Sequence, residues 1–214
     1  MNLPDETCPA DELLQTLALL VEIFWGPPPS ECRAMFSEQI PHLADTLQKR
    51  SLGWADPLRK MTLLIGPDDA KSCDRLEASY VSLFVTSPTS SLVPPYASCH
   101  LENDTFMGSA TLAMQKRLHD AGLSLSGPSN EPPDHVAIQC EYLYFLLQEG
   151  ISGRPELLRE AAAFTRESML PWVHRFRDSL AEQVQNCPSE ARIFLLAVDV
   201  LLGVLDSVDT LSMD

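Results

Sequence analysis

The stretch Asn130-Glu131-Pro132-Pro133-Asp134-His135 opens the apolar run Val136 to Leu147, and its reading decides how the rest of the chain is taken. Prolines 132 and 133 lack N–H donors and cannot lie inside a helix, but they suit its approach and first turn. A helix is therefore expected over Pro133 to Gln148, stopped by Gly150. Asp134 then lies where an anion meets free backbone N–H groups and the positive end of the helix dipole, a capping role worth about 1 kcal/mol. On a regular helix Asp134, Ile138 and Glu141 recur at i, i+4 and i+7, which sets both carboxylates on one face. Neighbours on a helix point about 100° apart, so Asp134 and His135 are not a catalytic dyad by themselves.

Outward from this point the pattern is helical almost throughout. Ala10 to Trp25 has helical period, with Leu13, Leu14, Leu17, Leu20, Val21 and Phe24 on one broad face, and Gly26-Pro27-Pro28-Pro29 stops it. Further helices are expected over Glu31 to Gln39 (N-cap Ser30), His42 to Lys49, Asp56 to Leu64, Asp68 to Phe84 and Asp104 to Asp120. The last two are Pro155 to Arg166, continuing toward Leu180 with a kink at Pro171, and Ser189 to Asp206. No alternating strand pattern and no internal repeat is present. The expected class is all-α, a single helical domain of about nine to eleven helices. The proline- and serine-rich stretch 86–96 reads as a hinge loop between an N-terminal helical part (1–85) and a C-terminal one (97–214).

Composition narrows the function. The net charge of the 214-residue chain is −15, from 15 Lys and Arg against 30 Asp and Glu, a surface that repels nucleic-acid phosphates and attracts cationic partners. Six scattered cysteines without a Cys-x-x-Cys pair imply reduced thiols and no zinc site. The acidic N-terminus does not resemble a secretory signal, and the apolar runs at Leu13 to Trp25 and Ile193 to Leu205 are short or interrupted by Glu22 and Asp199. A cytoplasmic protein without stable membrane insertion is expected. Phosphate-loop, dinucleotide, zincin and nucleophile-elbow motifs are absent, so neither a catalytic residue, a metal nor a cofactor is assigned.

Glu131-Pro-Pro-Asp134-His135 followed by Glu141 resembles the signature of the TorD/DmsD family, cytoplasmic chaperones that mature molybdenum-containing redox enzymes. Tyr80-Val-Ser-Leu83-Phe84, Pro95-Tyr96-Ala-Ser98, Phe106-Met107-Gly108 with Gly122, and Phe164 with Leu170-Pro171-Trp172 resemble further blocks of the family in order and spacing. The similarity spans residues 76–175. Departures are His100 where an aromatic is common, Ser168-Met169 in place of a His-Leu pair, and Gln139 at an acidic position.

The resemblance implies a chaperone that binds the twin-arginine leader or the apo form of a molybdopterin-containing oxidoreductase catalytic subunit. It would assist cofactor insertion, assembly and export proofreading. Asp134 and Glu141 would meet the arginines, since guanidinium groups pair bidentately with carboxylates. His135, Tyr80, Phe84, Pro95, Tyr96, Ser98, His100 and Phe106 would complete a peptide groove. The plainer reading gives Asp134 to capping, His135 to a backbone bond, and the aromatics and Trp172 to the core. The family also implies a monomer or a domain-swapped homodimer. The alternatives are a GTP-binding or GTP-hydrolysing regulatory protein and a helical adaptor subunit of a redox complex.

Overall fold

The computed structural model describes residues 10–26, 29–65, 70–85, 93–101, 106–125 and 131–210. Among them there is no β-strand; the chain runs through helices α1 (Ala10–Trp25), α2 (Pro29–Ala34), α3 (Ile40–Lys49), α4 (Ala55–Thr62), α5 (Ala70–Tyr80) and α6 (Ala97–Leu101). Then follow α7 (Ser109–Asp120), α8 (Val136–Ile151), α9 (Glu156–Phe164), α10 (Leu170–Gln183) and α11 (Arg192–Thr210). The all-α expectation holds.

Two helices form the axis. α8 buries ten of its residues, and α11 buries Ile193, Phe194, Ala197, Val198, Val200, Leu201, Val204, Leu205 and Val208. α1 lies along α8 and against α11, and α4, α9 and α10 close around α11. A helix apolar on nearly all sides is stable only when other helices cover it, so the long apolar runs become interior rods rather than membrane spans. No helix among the described residues is long and apolar enough to cross a membrane.

Proline shapes the helix joints. Wide π-helical turns at Met35–Gln39 and Thr165–Met169 lie directly before Pro41 and Pro171. Proline has no N–H and its ring crowds the preceding carbonyls; a wide turn relieves both. The kink expected at Pro171 is thus spread over the turn before it. At the end of α1, Gly26 has φ of 80°, and a Cβ there would lie 2.9 Å from the Tyr80 ring, so both turn and packing require glycine.

The described structure departs from the expected helix bounds and cysteine state, and α8 begins at Val136 rather than Pro133. A helix is expected from Asp104, of which 104–105 lie outside the described residues; α7 begins at Ser109, and Met107 takes the left-handed φ of 61° in the turn before it. α6 is a short helix at the start of the C-terminal helical part to which no helix is assigned from sequence; of the expected hinge loop 86–96, residues 86–92 lie outside the described residues. Finally, Cys32 and Cys73, expected as thiols, form a disulfide with Cα atoms 6.0 Å apart. α2 packs on α5 and brings the two positions, 41 apart in sequence, within bridging distance. Cross-links of this loop length typically stabilise by about 2–4 kcal/mol. Reduction is therefore expected to lower the melting temperature by roughly 5–15 °C. An unchanged calorimetric melt after thiol titration confirms reduction would contradict the expectation.

Candidate binding site at the start of helix α8

The signature folds into a knot of hydrogen bonds. His135, not Asp134, is the N-cap of α8: its backbone is extended and its Nδ1 accepts the Ala137 N–H at 3.2 Å. Asp134 is fully buried, its Oδ2 accepting the Ser98 N–H at 2.9 Å and its Oδ1 the Thr111 hydroxyl at 2.8 Å. Its carboxylate therefore caps α6 across the loop and fastens α7. The Asp134 carbonyl accepts the Ala97 N–H and the Gln139 Nε2, each at 3.1 Å, and the Gln139 Oε1 accepts the Trp172 indole N–H, also at 3.1 Å. Val136 N–H donates to the Pro95 carbonyl at 2.9 Å, completing a bridge between Tyr96 and His135. One buried side chain and its carbonyl thus join α6, α7, α8 and α10.

The expectation of two carboxylates on one face is not met. Asp134 precedes the helix and points inward, while Glu141 lies on the exposed side of α8. Helical spacing does not extend through the extended backbone at His135.

What faces outward is a different set. The indole of Trp25, from the end of α1, stacks on His135 with centroids 4.6 Å apart and planes at 8°, and its N–H donates to Glu141 Oε1 at 2.9 Å. Tyr96 meets the His135 ring edge-on at 5.2 Å, and its hydroxyl donates to Glu131 Oε2 at 2.5 Å. Phe106 packs edge-on against Tyr96 at 5.2 Å and is 38% exposed. Two carboxylates, each held by a neutral donor on an aromatic ring, thus flank one imidazole. Neither Glu131 nor Glu141 has an ion-pair partner among the described residues, whereas Arg50, Arg75, Arg117 and Arg177 are paired with Glu12, Glu190, Glu160 and Asp199.

Of the remaining expected site residues, Phe84, Pro95 and Ser98 are buried, and Tyr80 and His100 are half-buried. Phe84 packs against Phe176 and Phe194. Tyr80 joins that cluster through Phe84 and Phe194, with its hydroxyl on the Phe24 carbonyl at 3.2 Å. His100 bonds the Pro94 carbonyl through Nε2 at 2.8 Å and stacks on Trp172. Trp25, Thr111 and Gln139 are members sequence reasoning misses, and Glu131 stands in the signature without being assigned to the groove. Trp25 ends an ordinary amphipathic helix and reaches the site only because α1 lies along α8, which no local pattern announces.

Burial and the Glu131 carboxylate shape the titration. Burial pushes Tyr80 up to about 12, with Glu131 adding to it, and burial plus the bond to Glu131 raises Tyr96 further still. Burial lowers His135 from 6.5 to about 4. The neutral form also suits its geometry, since Nδ1 needs its lone pair for Ala137. Because the folded pKa lies below the unfolded one, the unfolded chain binds the extra proton, and stability falls as pH drops from about 6.5 to 4. A loss of up to about 3 kcal/mol over that window is expected from this group. Denaturant melts of the wild type and of His135→Asn should differ in pH slope there. Parallel slopes would contradict the assignment.

Residues 36–178 match the family model described as nitrate reductase delta subunit. The chain belongs to this family, that of the TorD chaperones. Chaperone protein TorD of Vibrio vulnificus is 28% identical over 144 residues, 64% of each chain. That of Actinobacillus succinogenes is 25% identical over 175 residues, 80% of this chain and 81% of the relative. That of Photobacterium profundum is 27% identical over 110 residues, 49% of this chain and 50% of its own length. The chain thus spans between half and just under two thirds of several of these curated relatives. A crystal structure of a redox enzyme maturation protein from Archaeoglobus fulgidus superposes with a TM-score of 0.42 at 22% identity, over 83% of this chain and 95% of the other. Within this TorD-family chain no group of three or more His, Cys, Asp or Glu among the described residues could hold a metal ion.

Proposed function

We propose that this protein is a cytoplasmic maturation chaperone. It binds the leader peptide or apo form of a molybdopterin-containing oxidoreductase, assists cofactor insertion and withholds the enzyme from export until it is complete. The observation that carries the reading is the face made by Glu131, Tyr96, Trp25 and Glu141, two carboxylates without a cationic partner among the described residues, set beside aromatic rings. Such a face suits a guanidinium, which pairs with carboxylate oxygens through a planar fork and lies favourably on aromatic surface. Phe106 and Met107 extend it with exposed apolar surface, 38% and 61% accessible, for the apolar segment that follows the arginines in a leader. Asp134, Ser98, Pro95 and His135 hold the loops in place rather than touch peptide, and the net charge of −15 steers a basic leader inward.

The family description names a subunit of nitrate reductase, which favours as a second reading a lasting stoichiometric complex with the client. The test is calorimetric titration with a synthetic leader peptide carrying adjacent arginines before an apolar segment, against the same peptide with glutamines replacing the arginines. Micromolar binding that drops at least about tenfold with the glutamine peptide is expected. Equal affinity for the two would contradict a site built on Glu131 and Glu141.

A further inference from the structure

Trp25 is the outer ring of a two-ring stack on His135, which Tyr96 meets edge-on. The imidazole under it is only 2% exposed, whereas the indole itself is half-buried and keeps surface in contact with solvent. The indole N–H also fixes the Glu141 carboxylate at the ring's edge, at 2.9 Å. Stack and hydrogen bond together hold the ring in one plane. An aromatic plane with an ionised oxygen at its border is a platform for a flat cation: the guanidinium lies on the ring while its N–H groups reach the carboxylate. A lysine ammonium has no plane to lay on the ring, is held more strongly by water, and gains chiefly the point-charge attraction of Glu141.

We propose that Trp25 is the specificity-determining residue of the site, selecting arginine over lysine in the bound peptide. This rests on the leader-binding reading above. It adds a residue from the first helix, outside the matched family segment 36–178, to the recognition surface. His135 serves as its backing: a neutral, buried ring lets the indole lie flat without placing a second positive charge beneath the ligand.

The experiment compares two peptides, identical except for adjacent arginines or adjacent lysines, on wild type, Trp25→Leu, Trp25→Phe and Glu141→Gln. Affinities are read by calorimetry, and folding of each variant is checked by its melt. Wild type is expected to prefer the arginine peptide about tenfold. Trp25→Leu should compress that preference to about twofold or less, Trp25→Phe should retain part of it, and Glu141→Gln should weaken both peptides while leaving a preference. A ratio measured on one variant cancels any general loss of folded protein, so a purely structural tryptophan would leave it unmoved. Wild type that binds both peptides equally, or a Trp25→Leu protein with an undiminished preference, overturns the inference while the leader-binding reading stands. Wild type that binds neither peptide overturns both.

Discussion

Asp134→Ala is expected to destabilise the fold by about 3–5 kcal/mol, the largest loss of any single polar substitution at the site. The carboxylate is fully buried and accepts two hydrogen bonds, one from the first turn of α6 and one from Thr111 on α7. Bonds to a charged acceptor are worth roughly 1.5–3 kcal/mol each, and removal of the acceptor leaves the Ser98 N–H and the Thr111 hydroxyl buried without a partner. α6 is only five residues long, from Ala97 to Leu101, so losing its cap loosens much of it. Asp134→Asn keeps one acceptor oxygen and should lose about half as much. Denaturant melts at neutral pH measure both. A loss below about 1 kcal/mol for the alanine variant would show that the bonds around Asp134 do not hold these helices. Weakened peptide binding by Asp134→Ala would accordingly reflect loosened loops rather than a lost contact.

The double substitution Glu131→Gln with Glu141→Gln is expected to cut leader affinity about 100-fold while leaving stability within about 0.5 kcal/mol of wild type. Glutamine keeps an oxygen that can accept from the Tyr96 hydroxyl and the Trp25 indole, so the aromatic frame survives. What disappears is charge. Each carboxylate paired with a guanidinium at a partly exposed face contributes about 1–2 kcal/mol, and two together give the expected factor. Wild-type affinity should also fall with added salt, and the variant's should fall less steeply. An unchanged affinity in the folded double variant would place the arginine site elsewhere.

The sequence made the architecture legible where a rule is local. The span of α1, Ala10 to Trp25, follows from its apolar period and the Gly-Pro run behind it. The disturbance at Pro171 follows from a missing donor. The family blocks indicated the right region as well, since residues 76–175 lie within the matched stretch 36–178. Local rules failed where partners come from afar. Asp134 was legible as a capping aspartate, but the N–H it caps, that of Ser98, lies 36 residues earlier, and backbone bonds around the bridge between Tyr96 and His135 join the two. Trp25 reaches Glu141 across a separation of 116 residues, and its role depends on how α1 lies on α8. Gln139 looked like the loss of an acidic position. In the fold its neutral amide is what the site requires, since it donates to the Asp134 carbonyl and accepts from Trp172, tasks a carboxylate could only half perform.

On the reading proposed above, the Glu131 and Glu141 face holds the leader of a molybdenum-containing redox enzyme. Affinity capture of the tagged protein from its own host grown anaerobically, with mass spectrometry of what co-elutes, tests it most directly when wild type is run beside the Glu131→Gln, Glu141→Gln double variant. Wild type is expected to retain a molybdoenzyme subunit still bearing its leader, and the variant to lose most of it. A mature, leaderless assembly recovered equally with both proteins would contradict it.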